Sequence, residues 1–135
     1  MTFEELHRRI KNADIVALRH ELEQGLDPNF SNRFGWSVLM LAALEGTVPI
    51  GELLISKGAD PDRTNDVGQT ALSLAAHGGH IPLVEMLIRK GASTECHPHG
   101  HSMEDWIRNT SGLPKDRIDI ILGLLAGARP APASE

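Results

Sequence analysis

The sequence predicts an all-α solenoid of stacked helix-turn-helix units with short finger loops, and three observations predict it. The chain repeats itself at an offset of 33 residues. Each copy reads as two short helices closed by glycine. Two such helices cannot bury both of their apolar faces alone, so neighbouring units must complete the core.

The repetition is dense. At that offset Gly35 falls on Gly68, Leu39 on Leu72, Leu41 on Leu74, and Ala42-Ala43 on Ala75-Ala76. Gly46 falls on Gly79, Glu52 on Glu85, Leu54 on Leu87, Ile55 on Ile88, and Gly58-Ala59 on Gly91-Ala92. Backwards, Gly25, Asp27 and Pro28 match Gly58, Asp60 and Pro61. Four units follow, over about residues 1–31, 32–64, 65–97 and 98–128. They make residues 1–128 one domain and leave 129–135 as a disordered tail.

In the first unit Thr2 and Glu5 have capping-box spacing. Phe3, Leu6 and Ile10 form a narrow apolar stripe, with His7, Arg8, Arg9 and Lys11 toward water. Ile15, Leu18 and Leu22 face inward from the next helix. In the third unit the Thr70 hydroxyl caps a helix over Ala71 to Ala76, which Gly78-Gly79 stop. Pro82 opens the second helix, where its missing N–H costs nothing. Leu83, Val84, Leu87 and Ile88 are its stripe, and Gly91 ends it in a left-handed residue. The fourth unit is looser. A helix over Met103 to Asn109 precedes Gly112, and a three-residue insertion is expected around Leu113-Pro114-Lys115. Ile118, Ile121, Leu122 and Leu125 form the last stripe. Ile120 and Leu124 fall off it, so either the inserted turn covers them or the C-terminal helix carries a modest apolar patch that could serve as a second contact.

Composition narrows the function. The chain has 135 residues and a net charge of −5, with 41% hydrophobic residues. No segment carries a basic surplus, which argues against nucleic acid and for a protein partner, a basic one if charge matters. No apolar run approaches the roughly 20 residues of a membrane helix. The single cysteine, Cys96, suits a reducing compartment, and the start MTFEELHRRI lacks a signal-peptide core. A monomer in the cytoplasm, without cofactor, is the expectation.

The strings GQTALSLAAHGGHIPLVEMLIRKGAS and GWSVLMLAALEGTVPIGELLISKGADPD resemble ankyrin repeats. Thr70 and His80 match that family's pattern. Ala71 and Val38 stand where it has proline, and Ser73 and Met40 where it has histidine. The resemblance implies an ankyrin-repeat solenoid in which a finger precedes an inner and an outer helix. It also implies that partners bind at finger tips and at the exposed ends of inner helices. Mapped onto this chain, those positions are Arg33, Phe34, Trp36, Leu44 and Glu45; then Asp66, Val67, Gln69, His77 and Gly78; then His99, His101, Asn109 and Thr110.

Phe34 and Trp36 flank Gly35 on one finger of a chain with only five aromatic residues, three Phe and two Trp. Large aromatics beside Arg33 have the composition of an interface hot spot. Alternatively, Trp36 folds back onto Met40 or Gln69. Trp106 occupies the helix position of Met40 and Ser73 and reads as core. No nucleophile, acid and base converge, so an enzyme is not expected, and Cys96 reads as a partly exposed loop thiol. The run Cys96-His97-Pro98-His99-Gly100-His101 supports an alternative. On an extended segment His97, His99 and His101 share one side, and imidazoles suit zinc, nickel or copper.

The reading is a protein-binding module without chemistry of its own, either a small adaptor or a dedicated inhibitor of the immunity type. A small stand-alone domain favours the inhibitor, with Glu45, Asp60, Asp62 and Asp66 steering a basic target.

Overall fold

Eight helices run in four consecutive pairs through the computed structural model, which describes residues 2–128. They are α1 (Phe3–Lys11), α2 (Ile15–Glu23), α3 (Val38–Glu45), α4 (Val48–Ser56), α5 (Ala71–His77), α6 (Ile81–Arg89), α7 (Met103–Thr110) and α8 (Lys115–Ala128). The odd-numbered helices pack in succession, α1 on α3, α3 on α5 and α5 on α7. The even-numbered helices form a second layer in the same order. Each pair therefore hides its apolar residues between its own two helices and those of its neighbours.

Local chemistry sets the helix ends. Glu5 N–H donates to Thr2 Oγ1 while Thr2 N–H donates to the Glu5 carboxylate. Thr70 and Ser73 exchange the same pair of bonds. Ser73 thus takes a capping role at a position where the resembled family has histidine. Pro82 stands at the start of α6, and Gly91 follows its cap at φ +88°. The turn between paired helices needs a left-handed residue, and Gly46, Gly79 and Gly112 supply it. The first pair uses Ala13 at φ 55° instead, a conformation that costs a Cβ-bearing residue roughly 1–2 kcal/mol.

The core is continuous from Leu6 and Ile10 through Met40, Leu54, Leu72 and Leu87 to Ile107 and Ile121. Met40, Ser73 and Trp106 are one repeat apart and all buried, so one column accepts a thioether, a hydroxyl and an indole. His80 ties the second pair to the third. Its Nε2–H donates to the Leu44 carbonyl at 3.3 Å, an acceptor that the end of α3 leaves unpaired.

Two expectations change. The extra residues of the last pair sit mainly in the helix rather than in the turn. α8 has 14 residues against nine in α6, and it runs through Gly127 without a left-handed residue. His7 and Arg9 are half-buried rather than fully wet, because Glu45 and Glu21 face them at 3.3 and 3.7 Å. Ile120 is 52% exposed and Leu124 half-buried against the core, so α8 carries the modest apolar patch that was one of the two alternatives. The tail expected to be disordered, 129–135, lies outside the described residues. Among the described residues no helix is long and apolar enough to cross a membrane.

Candidate functional site

The fingers are built on asparagine. Asn32 Oδ1 accepts from Phe34 N–H and Trp36 N–H, both at 3.0 Å. One repeat later Asn65 Oδ1 accepts from Val67 N–H at 3.1 Å and Gln69 N–H at 3.0 Å. The side chain takes the place of a backbone acceptor and folds each finger into a tight turn. Across the base of the first finger Ser31 and Ser37 form an antiparallel bridge.

This geometry sorts the predicted residues. Phe34 is 53% exposed at the tip, with the Arg33 guanidinium 4.8 Å from its ring centroid. That contact is a cation–π pair, which holds the ring on display instead of against the body. Trp36 points back and packs against the core while keeping part of its surface wet. Val67, at the matching tip position, is 42% exposed, and Leu44 is 43% exposed at the end of α3. Asp66 is exposed beside Val67.

Phe34, Trp36 and Leu44 line one open groove of about 370 Å³ together with Phe3, Glu4 and His7 of α1. Leu41 and Asn32 complete it. The α1 residues were missed from sequence, because His7 and Leu44 are brought together only when the first two units stack. His7 Nε2 lies 3.3 Å from Glu45 Oε1, so the ring spans the groove wall and occupies a carboxylate expected to be free.

Other assignments are corrected. Gln69 is buried, at 8% exposure, because its Oε1 accepts from Asn65 Nδ2 at 2.7 Å and locks the second finger. His77 is half-buried: it stacks on Trp106 and bonds to Thr110 Oγ1 at 2.8 Å. Burial holds the His77 pKa below the ordinary imidazole value. The Thr110 backbone opposes that effect in part, and nearby His99 adds to it. Asp60 and Asp62 serve the loops between units. Asp62 Oδ1 accepts from Ser93 N–H at 2.7 Å, and Asp60 Oδ1 accepts from Asp62 N–H. His99, His101, Asn109 and Gly78 are exposed but lie apart from the groove.

Cys96 is not a partly exposed thiol. It is buried, and the Thr70 hydroxyl faces its sulfur at 3.9 Å. Burial pushes its pKa up, against a smaller opposing effect of the Thr70 and Ser73 hydroxyls. A thiol kept protonated is a poor nucleophile and a poor metal ligand. The histidine run is not extended either. Pro98–Gly100 forms a 3-10 turn with His99 at φ 52°, ψ 29°, which breaks the alternation that would align His97, His99 and His101. His99 tilts toward Trp106, with ring centroids 6.2 Å apart. Among the described residues no group of three or more His, Cys, Asp or Glu side chains gathers to hold a metal ion.

A family model described as ankyrin repeats, in 3 copies, matches residues 6–97. No curated protein matches the chain.

Proposed function

The chain belongs to the ankyrin-repeat family, and from that premise we propose a protein-binding module that carries out no chemistry of its own. Ankyrin repeats are generally protein–protein interaction modules, and this chain's binding face is the first finger together with the groove beside it. One observation carries the reading. Of the five large apolar side chains exposed among the described residues, Phe34, Leu44 and Val67 gather on the finger side, two of them on the groove, while Val16 and Ile120 lie apart on α2 and α8. An aromatic tip, an adjacent Arg33 and an aliphatic wall are the makings of a hot spot. Trp36 stiffens the face from below, and Glu45 and Asp66 give its rim an acidic character that suits a basic partner.

The face is preorganised by side chain to backbone bonds at Asn32 and Asn65. Association therefore orders little of this chain, which favours tight binding from a modest area. Both an adaptor and a dedicated inhibitor use such a face. The acidic rim favours an inhibitor of a basic target, whose association would then slow steeply with added salt. An adaptor's association would not. A free Cys96 supports action in a reducing compartment such as the cytoplasm.

The test is binding by the Phe34→Ala/Leu44→Ala double variant. Both side chains project from the body, so thermal unfolding should stay within about 1 kcal/mol of wild type. Affinity for the partner should fall by about 2 kcal/mol or more.

A further inference from the structure

The fingers stack through one repeated bond. Asp66 N–H donates to the Phe34 carbonyl at 3.0 Å, and His99 N–H donates to the Val67 carbonyl at 2.7 Å. Donors and acceptors keep the repeat register: Arg33, Asp66 and His99 share one position, and Phe34, Val67 and Gly100 the next. Each bond depends on the glycine after its acceptor. A Cβ at Gly35 would lie 2.9 Å from Asn65 Cα, and a Cβ at Gly68 would lie 2.5 Å from the His97 carbonyl oxygen. Both glycines also hold positive φ, +81° and +79°.

The two ends of this stack differ. At the C-terminal end the register position of Gly35 and Gly68 is occupied by His101, so a further finger would meet a Cβ. At the N-terminal end the first finger presents the same face that the second presents to it. Asn32 holds the same two-bond turn as Asn65, and Arg33 N–H occupies the register of the two donors. Among the described residues no carbonyl accepts from Arg33 N–H. Asn32 also lines the apolar groove, so the unfilled donor and the groove adjoin.

We propose that this open finger face receives a glycine-containing turn from a partner protein, which extends the finger stack by one. The partner's carbonyl accepts from Arg33 N–H, and the glycine that follows lets its backbone approach Asn32. An apolar side chain beside that glycine enters the groove against Phe3 and Leu44. Backbone pairing supplies the register and the groove supplies the preference, as in strand addition at a sheet edge. The proposal rests on the binding face described above and names the chemistry of what binds there. A second copy of this chain does not meet the requirement, because its free finger carries His101 in place of the glycine.

The experiment uses the full chain as bait for a display library of disulfide-cyclised heptapeptides. Amide resonances are then followed during titration with the selected peptides. The expected consensus is an apolar residue followed by glycine. The Arg33 amide should shift and its hydrogen exchange should slow at least tenfold at saturation. Replacing the peptide glycine by alanine should weaken binding at least tenfold. Peptides without glycine that move Phe3 and Leu44 but leave Arg33 unchanged would overturn the proposal while preserving the binding face. Peptides that perturb neither region would overturn both, and a library that yields no binder overturns the proposal.

Discussion

The His77 imidazole lies on the Trp106 indole, with ring centroids 4.2 Å apart and planes 22° from parallel. The Thr110 hydroxyl spends its proton on the Trp106 carbonyl, so His77 Nε2 must be the donor to Thr110 Oγ1. Neutral His77 is therefore fixed in one tautomer, and it joins α5 to α7.

That bridge makes stability sensitive to acid. Burial keeps the folded-state pKa of His77 below its unfolded value of about 6.5, so the unfolded chain takes up the proton first. The contribution is complete above that pH. It drains as the pH falls toward and through the lowered folded value. Denaturant titrations between pH 7.5 and 4.5 should show this loss in wild type and lack it in His77→Phe, which keeps the ring stack. Truncation to alanine should cost about 1 kcal/mol at neutral pH.

The two aromatics of the first finger should separate in their effects. Phe34→Ala should alter stability by less than about 0.5 kcal/mol, since the ring is more than half exposed. Trp36→Ala removes a side chain packed against the core and should cost about 2 kcal/mol. Thermal unfolding of the two single variants decides between them; equal losses would contradict the different placement of the rings.

Left-handed positions supply a graded series. Gly68→Ala combines φ +79° with a Cβ 2.5 Å from the His97 oxygen and should cost about 2 kcal/mol or more. Gly100→Ala has a similar φ and open space, so only the backbone strain remains, about 1 kcal/mol. Ala13→Gly should run the other way and stabilise by up to about 1 kcal/mol, because strain is relieved at some cost in unfolded-chain entropy. Chemical unfolding midpoints of the three variants test the order.

Cys96 should resist a thiol reagent in the native chain and react fully once denatured, at least a hundredfold faster. Its raised pKa also has a stability consequence. The protonated thiol's contribution is intact below the unfolded-chain value and fades as the pH rises through the higher folded one.

Much of the fold was legible in the sequence because its determinants are local. The Thr2–Glu5 box, the Thr70 cap, Pro82 and Gly91 act within a turn of themselves, and the repeat offset carries them from unit to unit. The candidate site was legible only in part. Arg33, Phe34 and Leu44 could be read from repeat position, since tips and helix ends stay exposed in any such stack. Gln69 was misplaced because Asn65, four residues earlier, draws its amide inward. His77 and Cys96 were misread because their neighbours, Trp106 and Thr70, come from the adjoining unit, and no local pattern encodes that contact. Phe3 and His7 join the groove for the same reason. The length of α8 escaped because Gly127 matches Gly91 as a helix end, yet its backbone stays helical.

Affinity capture from the cell that makes this protein, with wild type and the Phe34→Ala/Leu44→Ala variant side by side, decides whether the first finger and its groove are the binding face. A discrete protein should be retained by wild type and lost from the variant, whose own unfolding temperature stays unchanged. The same protein retained equally by both baits would contradict that placement of the binding face.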